Sequence, residues 1–455
     1  MSEARFLFDW KKLIYVTMGA LVLLIPAFFN RYPLVYFDTG VYLEMAVSLE
    51  PSFHRSIGYP LFIRIFSLLT STWPVVFVQA MMVSWLLFQL IARLSPARPV
   101  RMFLILTSLL VFATPLGWYV SQLMPDVFTL ILALAVVVFI AGEKKHLTDK
   151  ILLSFVIFIS LIVHLSHPAI LVLVLLSLLV ASGLFRQIRF DFVAFRLLVL
   201  LLVGSVLFQM TYNAVWGKGF TYSPGSNVFL TASIAEMGIL QLYLEENCTH
   251  RTHYLCNYFG DLPRETGGFL WAPDSPVNEH PGGWKGMNND CEEIVEAYLF
   301  HPRYAKWFAF GALKAWFKQM AQIDLGGGLQ YAYGENSPPF WPINTHFKME
   351  VNEYLNSMQQ KGDLPLGFFK AVNYVSLFVA VIIVLMLQSR VQHGMFPLIA
   401  AAFLGFYVFN AAVTGILANV YERLQARMLP LVMVYCFLLV VIYIEQRTKT
   451  ATSKH

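Results

Sequence analysis

Charge is scarce in this chain. Asp, Glu, Lys and Arg make up 13% of its 455 residues, where soluble domains carry roughly 25%. That scarcity excludes an ordinary soluble domain, whose surface needs charge to stay in water. The net charge of +5 is carried by Lys and Arg clustered beside apolar runs. Basic residues in those places orient a membrane chain, so they give no reason to expect a nucleic-acid partner. Cysteine is scarce too, with four in all, and no Cys/His spacing resembles a structural zinc site. Internal repeats and low-complexity tracts are also missing, which excludes solenoids and arrays.

What fills the chain instead is apolar: 58% hydrophobic residues and a mean hydropathy of +0.62. Runs of roughly 18 or more apolar residues are long enough to cross a bilayer core, and such runs recur. They predict an all-α polytopic membrane protein with about ten spans, at 12–30, 74–94, 102–119, 126–142, 151–165, 168–185, 196–213, 367–388, 396–418 and 428–445. The N-terminal order, charged MSEARFLFDWKK then apolar LIYVTMGALVLLIPAFF, resembles a signal sequence without a small-x-small cleavage site, and so predicts an uncleaved first span. Basic connectors at 92–101, 143–150, 185–196 and 389–394 and the C-terminal tail all fall on one side. The positive-inside rule makes that side the cytoplasm and places both termini there.

The opposite face receives residues 31–73, the link YVSQLMPD, the turn at LSHP, residues 214–366 and the stretch ANVYERLQARMLP. Within 31–73, GYPLFIRIFSLLTS is too short and too interrupted by Arg64 to span, and predicts an interfacial helix. Residues 214–366 divide the chain into a first membrane module (1–213), an outer domain of mixed structure, and a second membrane module (367–455). Turn signals such as SPGSN, PGGW and GENSPP punctuate that domain. Its segment EEIVEAYLFHPRYAKWFAFGALKAWFKQM predicts a helix resting on the membrane surface. Cys248 and Cys256, eight residues apart, are the short-loop disulfide candidates in an oxidising compartment.

Ionisable and polar residues from distant loops fall at one outer membrane level: Asp38, Tyr42, Glu44, His54, Arg55, Asp126, His164, His167, Glu422, Arg423 and Arg427. Such groups cost a few kcal/mol at that depth unless paired or wet, so their convergence marks a candidate site. Asp38 in YFDTGVYLEMA and Asp126 in SQLMPDVFTL each precede a helical segment, so both suit N-capping. The other reading makes Asp38 a general base in a partly desolvated cleft, its pKa raised by burial. Arg423 and Arg427 run against the inside-positive bias. Headgroup snorkelling and phosphate clamping both fit them.

The order of a first span, an acid in an outer loop, a Pro-containing turn into an interfacial helix and then the second span resembles the GT-C glycosyltransferases that use polyprenyl-phosphate sugars. These include protein O-mannosyltransferases and the aminoarabinose transferases of lipid A. FDTGVYLEMA resembles the family's acidic motif, with Asp38 at the first acid, Thr39 in place of the second, and Tyr42 retained. HRSIGYPLFI, with His54, Arg55, Tyr59 and Pro60, resembles the basic residue and turn that follow. Asp126 matches the acid between spans three and four, and Arg427 in RMLP the start of a late span.

The resemblance implies an inverting transferase in a bacterial inner membrane, its site facing the periplasm. Its partners would be a polyprenyl-phosphate-linked sugar donor, a hydroxyl-bearing periplasmic glycan, lipid or protein acceptor, and membrane lipids. Asp38 would act as base with Asp126 in support. Arg427, Arg423 and Arg55 would hold the phosphate, and Tyr42, His54, Tyr59 and His167 the substrates. The motif does not supply a metal ligand set, since Thr39 replaces the second acid, so no cofactor is assigned and a divalent metal stays open without support from the motif. The alternatives are a polymerase or ligase of O-antigen type relying on loop arginines, a transporter of lipid-linked substrates with a midplane site, and a non-enzymatic partner protein.

Overall fold

The computed structural model describes residues 10–94, 98–141, 147–188, 191–249, 253–391 and 394–452. Parts of the basic connectors, with residues 1–9 and 453–455, lie outside the described residues. The expected side of the two termini rests on them.

The described residues form helices joined by turns, with a single isolated bridge between Leu34 and Gln122 and no strand. Six helices are long and apolar enough to cross a membrane: Trp73–Leu94, His167–Leu184, Phe192–Val215, Leu366–Leu387, Phe396–Leu417 and Glu422–Thr448. The chain is therefore a multi-pass helical membrane protein. A seventh span exists if Ser226–Glu236 and Leu240–Asn247, bent by 100° at their junction, count as one.

The other four expected spans hold shorter helices, Trp10–Leu23, Pro99–Ala113, Val127–Ile140 and Leu147–Ile162, of 14 to 16 residues. At about 1.5 Å per residue they reach roughly 21–24 Å, short of a ~30 Å hydrocarbon core. Pro26 and Pro115 explain two of the shortfalls. Each sits where the chain starts a new short helix, Ile25–Asn30 and Leu116–Val120, instead of continuing the old one. Leu147–Ile162 and His167–Leu184 are separate helices, with Pro168 in the first turn of the second.

Val127–Ile140 is the centre of the molecule, with all fourteen of its residues buried. The link before it, 114–126, is buried along its whole length and does not lie on a surface. Its backbone groups need partners there. Leu34 N–H donates to the Ser121 carbonyl, Leu123 N–H donates to the Leu34 carbonyl, and Gln79 donates to the carbonyls of Val120 and Gln122. The first loop and this link are thus bonded to each other.

The expected interfacial helix is Gly58–Ser67, and it is mostly enclosed by protein. It packs between Thr39–Ser48 and Trp73–Leu94. Gly58 lies so close to the Ile162 carbonyl that a Cβ would meet it at 2.2 Å. Arg64, the residue that keeps this segment from spanning, donates to the carbonyls of Ala46 and Val47 at the end of the Thr39–Ser48 helix.

Residues 214–366 are helical and turn-forming, without the strands that a mixed domain would have, in their described part. They also divide in two. Residues between Val228 and Tyr304 close a small core of their own, tied by the Cys248–Cys256 disulfide. Tyr333, Phe340, Ile343, Phe347 and Tyr354 pack instead into the main core with the membrane helices. The single surface helix expected at 292–320 is broken by Pro302 into Gly283–Phe300, against Ser226–Glu236, and Pro302–Met320, along Phe396–Leu417. The second half keeps an exposed apolar face of Trp307, Phe310, Leu313 and Phe317.

Candidate functional site

Asp38 and Asp126 both occupy the position just before a helix, and neither side chain caps it. The capping reading therefore fails for both, because each carboxylate has a cationic partner instead. Asp38 accepts from Arg55 at 2.7 Å and from Arg423 at 3.3 Å. The other amino group of Arg423 lies 3.6 Å from Asp126, and Arg427 donates to Asp126 at 3.1 Å. Arg423 and Arg427 are four residues apart in the turn that leads into the last span, so they share a face. The result is one chain of alternating charge: Arg55, Asp38, Arg423, Asp126, Arg427.

Exposure falls along that chain. Side chains of Arg55 and Asp38 are 16% and 15% exposed, Arg423 is 12%, Asp126 2% and Arg427 0%. Three guanidiniums face two carboxylates, an excess of one positive charge. Four buried N–H groups of these arginines have no hydrogen-bond partner: Arg55 Nε, Arg423 Nε and Nη1, and Arg427 Nε. Buried polar groups are nearly always paired, so orphaned guanidinium donors beside surplus charge describe a seat for an anion.

Burial alone would raise the pKa of Asp38, as the sequence led us to expect. Its two guanidinium neighbours outweigh burial and hold it down at about 2. The carboxylate is ionised at neutral pH and weakly basic while both arginines stay with it.

The positioning residues are mostly ones that sequence reasoning passed over. Thr39, which stands where the related motif has an acid, accepts from Tyr36 N–H and donates to the Leu123 carbonyl. It binds the Asp38 loop to the Asp126 link, a role that a carboxylate cannot fill because it has no proton to donate to a carbonyl. Asn410, within the Phe396–Leu417 span, accepts from Arg427 and donates to the Leu424 carbonyl. A lone amide in an apolar span is a legible signal. Tyr36 lies under Arg423, 3.9 Å from its guanidinium carbon, and Trp271 lies 5.5 Å from that of Arg55. Tyr119 donates to the Arg423 carbonyl.

Other expected site residues make no side-chain hydrogen bond or ion pair with the charged chain among the described residues, although the His54 carbonyl accepts from Arg55. Tyr42 is buried edge-on against Tyr59, with burial pushing its hydroxyl pKa up. Tyr59 is fully buried and donates to Gln79, beneath the 114–126 link. His167 is also fully buried. Its Nδ1 faces the Ser160 carbonyl and so carries the proton, which leaves Nε2 to accept from Thr129. His54 borders a separate cleft with Ser52, between Trp271 and Trp284. Burial, with Arg55 adjoining, lowers its pKa to about 3, so its ring is neutral. Glu422 has Asp324 and Lys370 as its charged neighbours. Among the described residues no group of three or more His, Cys, Asp or Glu is placed to hold a metal ion.

Comparison with protein-family models, with curated proteins and with solved structures returned no match for this chain.

Proposed function

We propose that this protein is an inverting glycosyltransferase of GT-C type, moving a sugar from a polyprenyl-phosphate donor to an acceptor hydroxyl. In this reading it lies in a bacterial inner membrane with about ten spans and both termini cytoplasmic, and the charged chain faces the periplasm. The observation that carries the reading is the surplus guanidinium charge, with the Nε of each of the three arginines left unpartnered, placed beside an ionised carboxylate.

A phosphate at Arg55, Arg423 and Arg427 would engage donors that now have no partner, and would neutralise the surplus charge. It would also compete with Asp38 for Arg55 and Arg423, raising the carboxylate's proton affinity once donor is bound. The acceptor O–H then gives its proton to Asp38 as its oxygen bonds to the anomeric carbon. The bond from that carbon to the phosphate oxygen breaks, and the polyprenyl phosphate leaves with the electron pair. Charge growing on the leaving phosphate meets guanidiniums already oriented for it, the arrangement that lowers such a barrier most. Asp126 keeps Arg423 and Arg427 in position for this.

The test is sugar transfer in membranes supplied with defined polyprenyl-phosphate sugars, comparing the native chain with Asp38→Asn at matched expression. Loss of transfer is expected. Full activity of the variant would remove Asp38 from the chemistry and the reading with it.

A further inference from the structure

An open cleft of about 520 Å³ borders the charged chain without including any of its members. Small-molecule sites run to roughly 300–1,000 Å³, so it is large enough for a sugar-sized ligand. The two share a wall. Gly40, which lines the cleft, lies in the first turn of the helix that Asp38 precedes, and His54, which also lines it, precedes Arg55. Gly40 packs so tightly on the Pro338 carbonyl that a Cβ would meet it at 2.3 Å. That close approach brings the Phe340–His346 helix, and Trp341 with it, to the cleft.

The lining combines flat apolar rings with carboxylates. Trp284 is held in place by Trp271 at 5.2 Å and Phe229 at 5.8 Å. Trp341 is 51% exposed and free to be covered. Lys218 is already engaged, 3.5 Å from Glu50 and over the Phe53 ring. Glu44 is exposed, with no hydrogen bond or ion pair among the described residues. Two carboxylates against one ammonium leave this wall with one net negative charge, opposite in sign to the guanidinium-rich chain.

An exposed indole, that of Trp341, beside a free carboxylate suits a pyranose. Its C–H face is apolar enough to lie on indole, and its hydroxyls donate to carboxylate oxygens. The negative wall repels phosphorylated or uronic sugars. Resting on the transferase reading above, we infer that this cleft is the acceptor subsite, and that the acceptor is a neutral or amino-sugar glycan, neither a phosphorylated lipid headgroup nor a peptide. Opposed charge then keeps the two substrates apart: the donor phosphate is drawn to the arginines and repelled by the Glu44 side, which is left to the acceptor.

The experiment is saturation-transfer NMR on the purified full-length protein in lipid nanodiscs, without donor. The probes are oligosaccharides released from dextran and mannan, their phosphorylated counterparts, and a hydroxyl-rich Ser/Thr peptide. Neutral saccharides are expected to bind and the phosphorylated forms to bind at least about tenfold more weakly, a difference of ~1.4 kcal/mol. Trp341→Ala should weaken neutral-sugar binding by a similar factor, and the exposed Glu44→Gln should raise the relative affinity of the phosphorylated forms. The inference is overturned if no neutral saccharide binds, if the phosphorylated forms or the peptide bind better, or if both substitutions leave binding unchanged. Binding of neutral saccharides that Asp38→Asn does not alter, with no transfer from any polyprenyl-phosphate donor, would sink the transferase reading and leave the cleft standing. Transfer to other acceptors that Trp341→Ala does not affect would do the reverse.

Discussion

Two buried carboxylate sites join the 31–73 loop to the rest of the chain, and they are built on opposite principles. Glu350 accepts from the hydroxyls of Tyr32, Ser71 and Thr72 and from the Thr72 N–H. All its donors are neutral and come from one loop. Asp38 and Asp126 face three guanidiniums from two distant parts of the chain, and donors are left over. A network whose donors match its acceptors stiffens a fold. One with surplus charge and orphaned donors is maintained at a cost to stability, and such costs concentrate at functional sites. The contrast assigns Glu350 to architecture and the charged chain to chemistry.

Substitutions on the two sides should break differently. The largest effect is expected from Asp38→Asn. It should lower sugar transfer by about 10²- to 10⁴-fold, the usual share of a general base, with a loss of stability of about 2 kcal/mol, the share that its pairing with the two arginines contributes. A large fall in midpoint with proportionate loss of transfer would make Asp38 structural, like Glu350. Next is Arg427→Met, which strips Asp126 of its 3.1 Å partner inside the protein. Breaking a buried pair costs about 3–5 kcal/mol, measurable as unfolding in a denaturant series, and transfer should fall beyond the loss of folded protein. Glu350→Gln turns an acceptor into a donor against Thr72 N–H. It should cost about 1–3 kcal/mol while leaving transfer per folded molecule unchanged, and a specific loss of transfer would erase the contrast.

The smallest effect is the pH response of Asp38. Its folded pKa lies below the ordinary value of 3.8, at about 2. The stability it contributes is therefore present above pH 4 and is lost as pH falls toward 2. The loss should be at most about 2 kcal/mol, read from the unfolding midpoint across that window. Asp38→Asn should flatten that part of the profile, and an unchanged profile would mean that the arginines do not hold the carboxylate as described.

Some of the site was legible in advance because it is local. Arg423 and Arg427 share a face by spacing alone, and Asp38, Arg55 and Asp126 stood out as ionisable groups among apolar neighbours. Cys248 and Cys256 were paired by proximity in sequence, and they are bonded. Other features were out of reach because their partners are far away in the chain. Arg55 in the same loop holds the Asp38 pKa down, and Arg423, which adds to it, lies 385 residues away. Thr39 is a tie and no mere lost acid, because Leu123 lies against it. Tyr59 and His167 were grouped with the site by membrane level, yet depth says nothing about which way a side chain points. Gln79, Thr129 and Ser160 take up their polar atoms.

The sequence by itself determined that this chain is a helical, multi-pass membrane protein, since apolar runs of that length have few other homes. It also determined which few ionisable residues must find partners, because an unpaired charge among so many apolar neighbours is too costly. Tertiary structure decided the pairing. It buried the 114–126 link, divided the 214–366 segment between two cores, and set three arginines against two acids with donors left over. Those outcomes depend on which distant segments touch, and no local pattern records that.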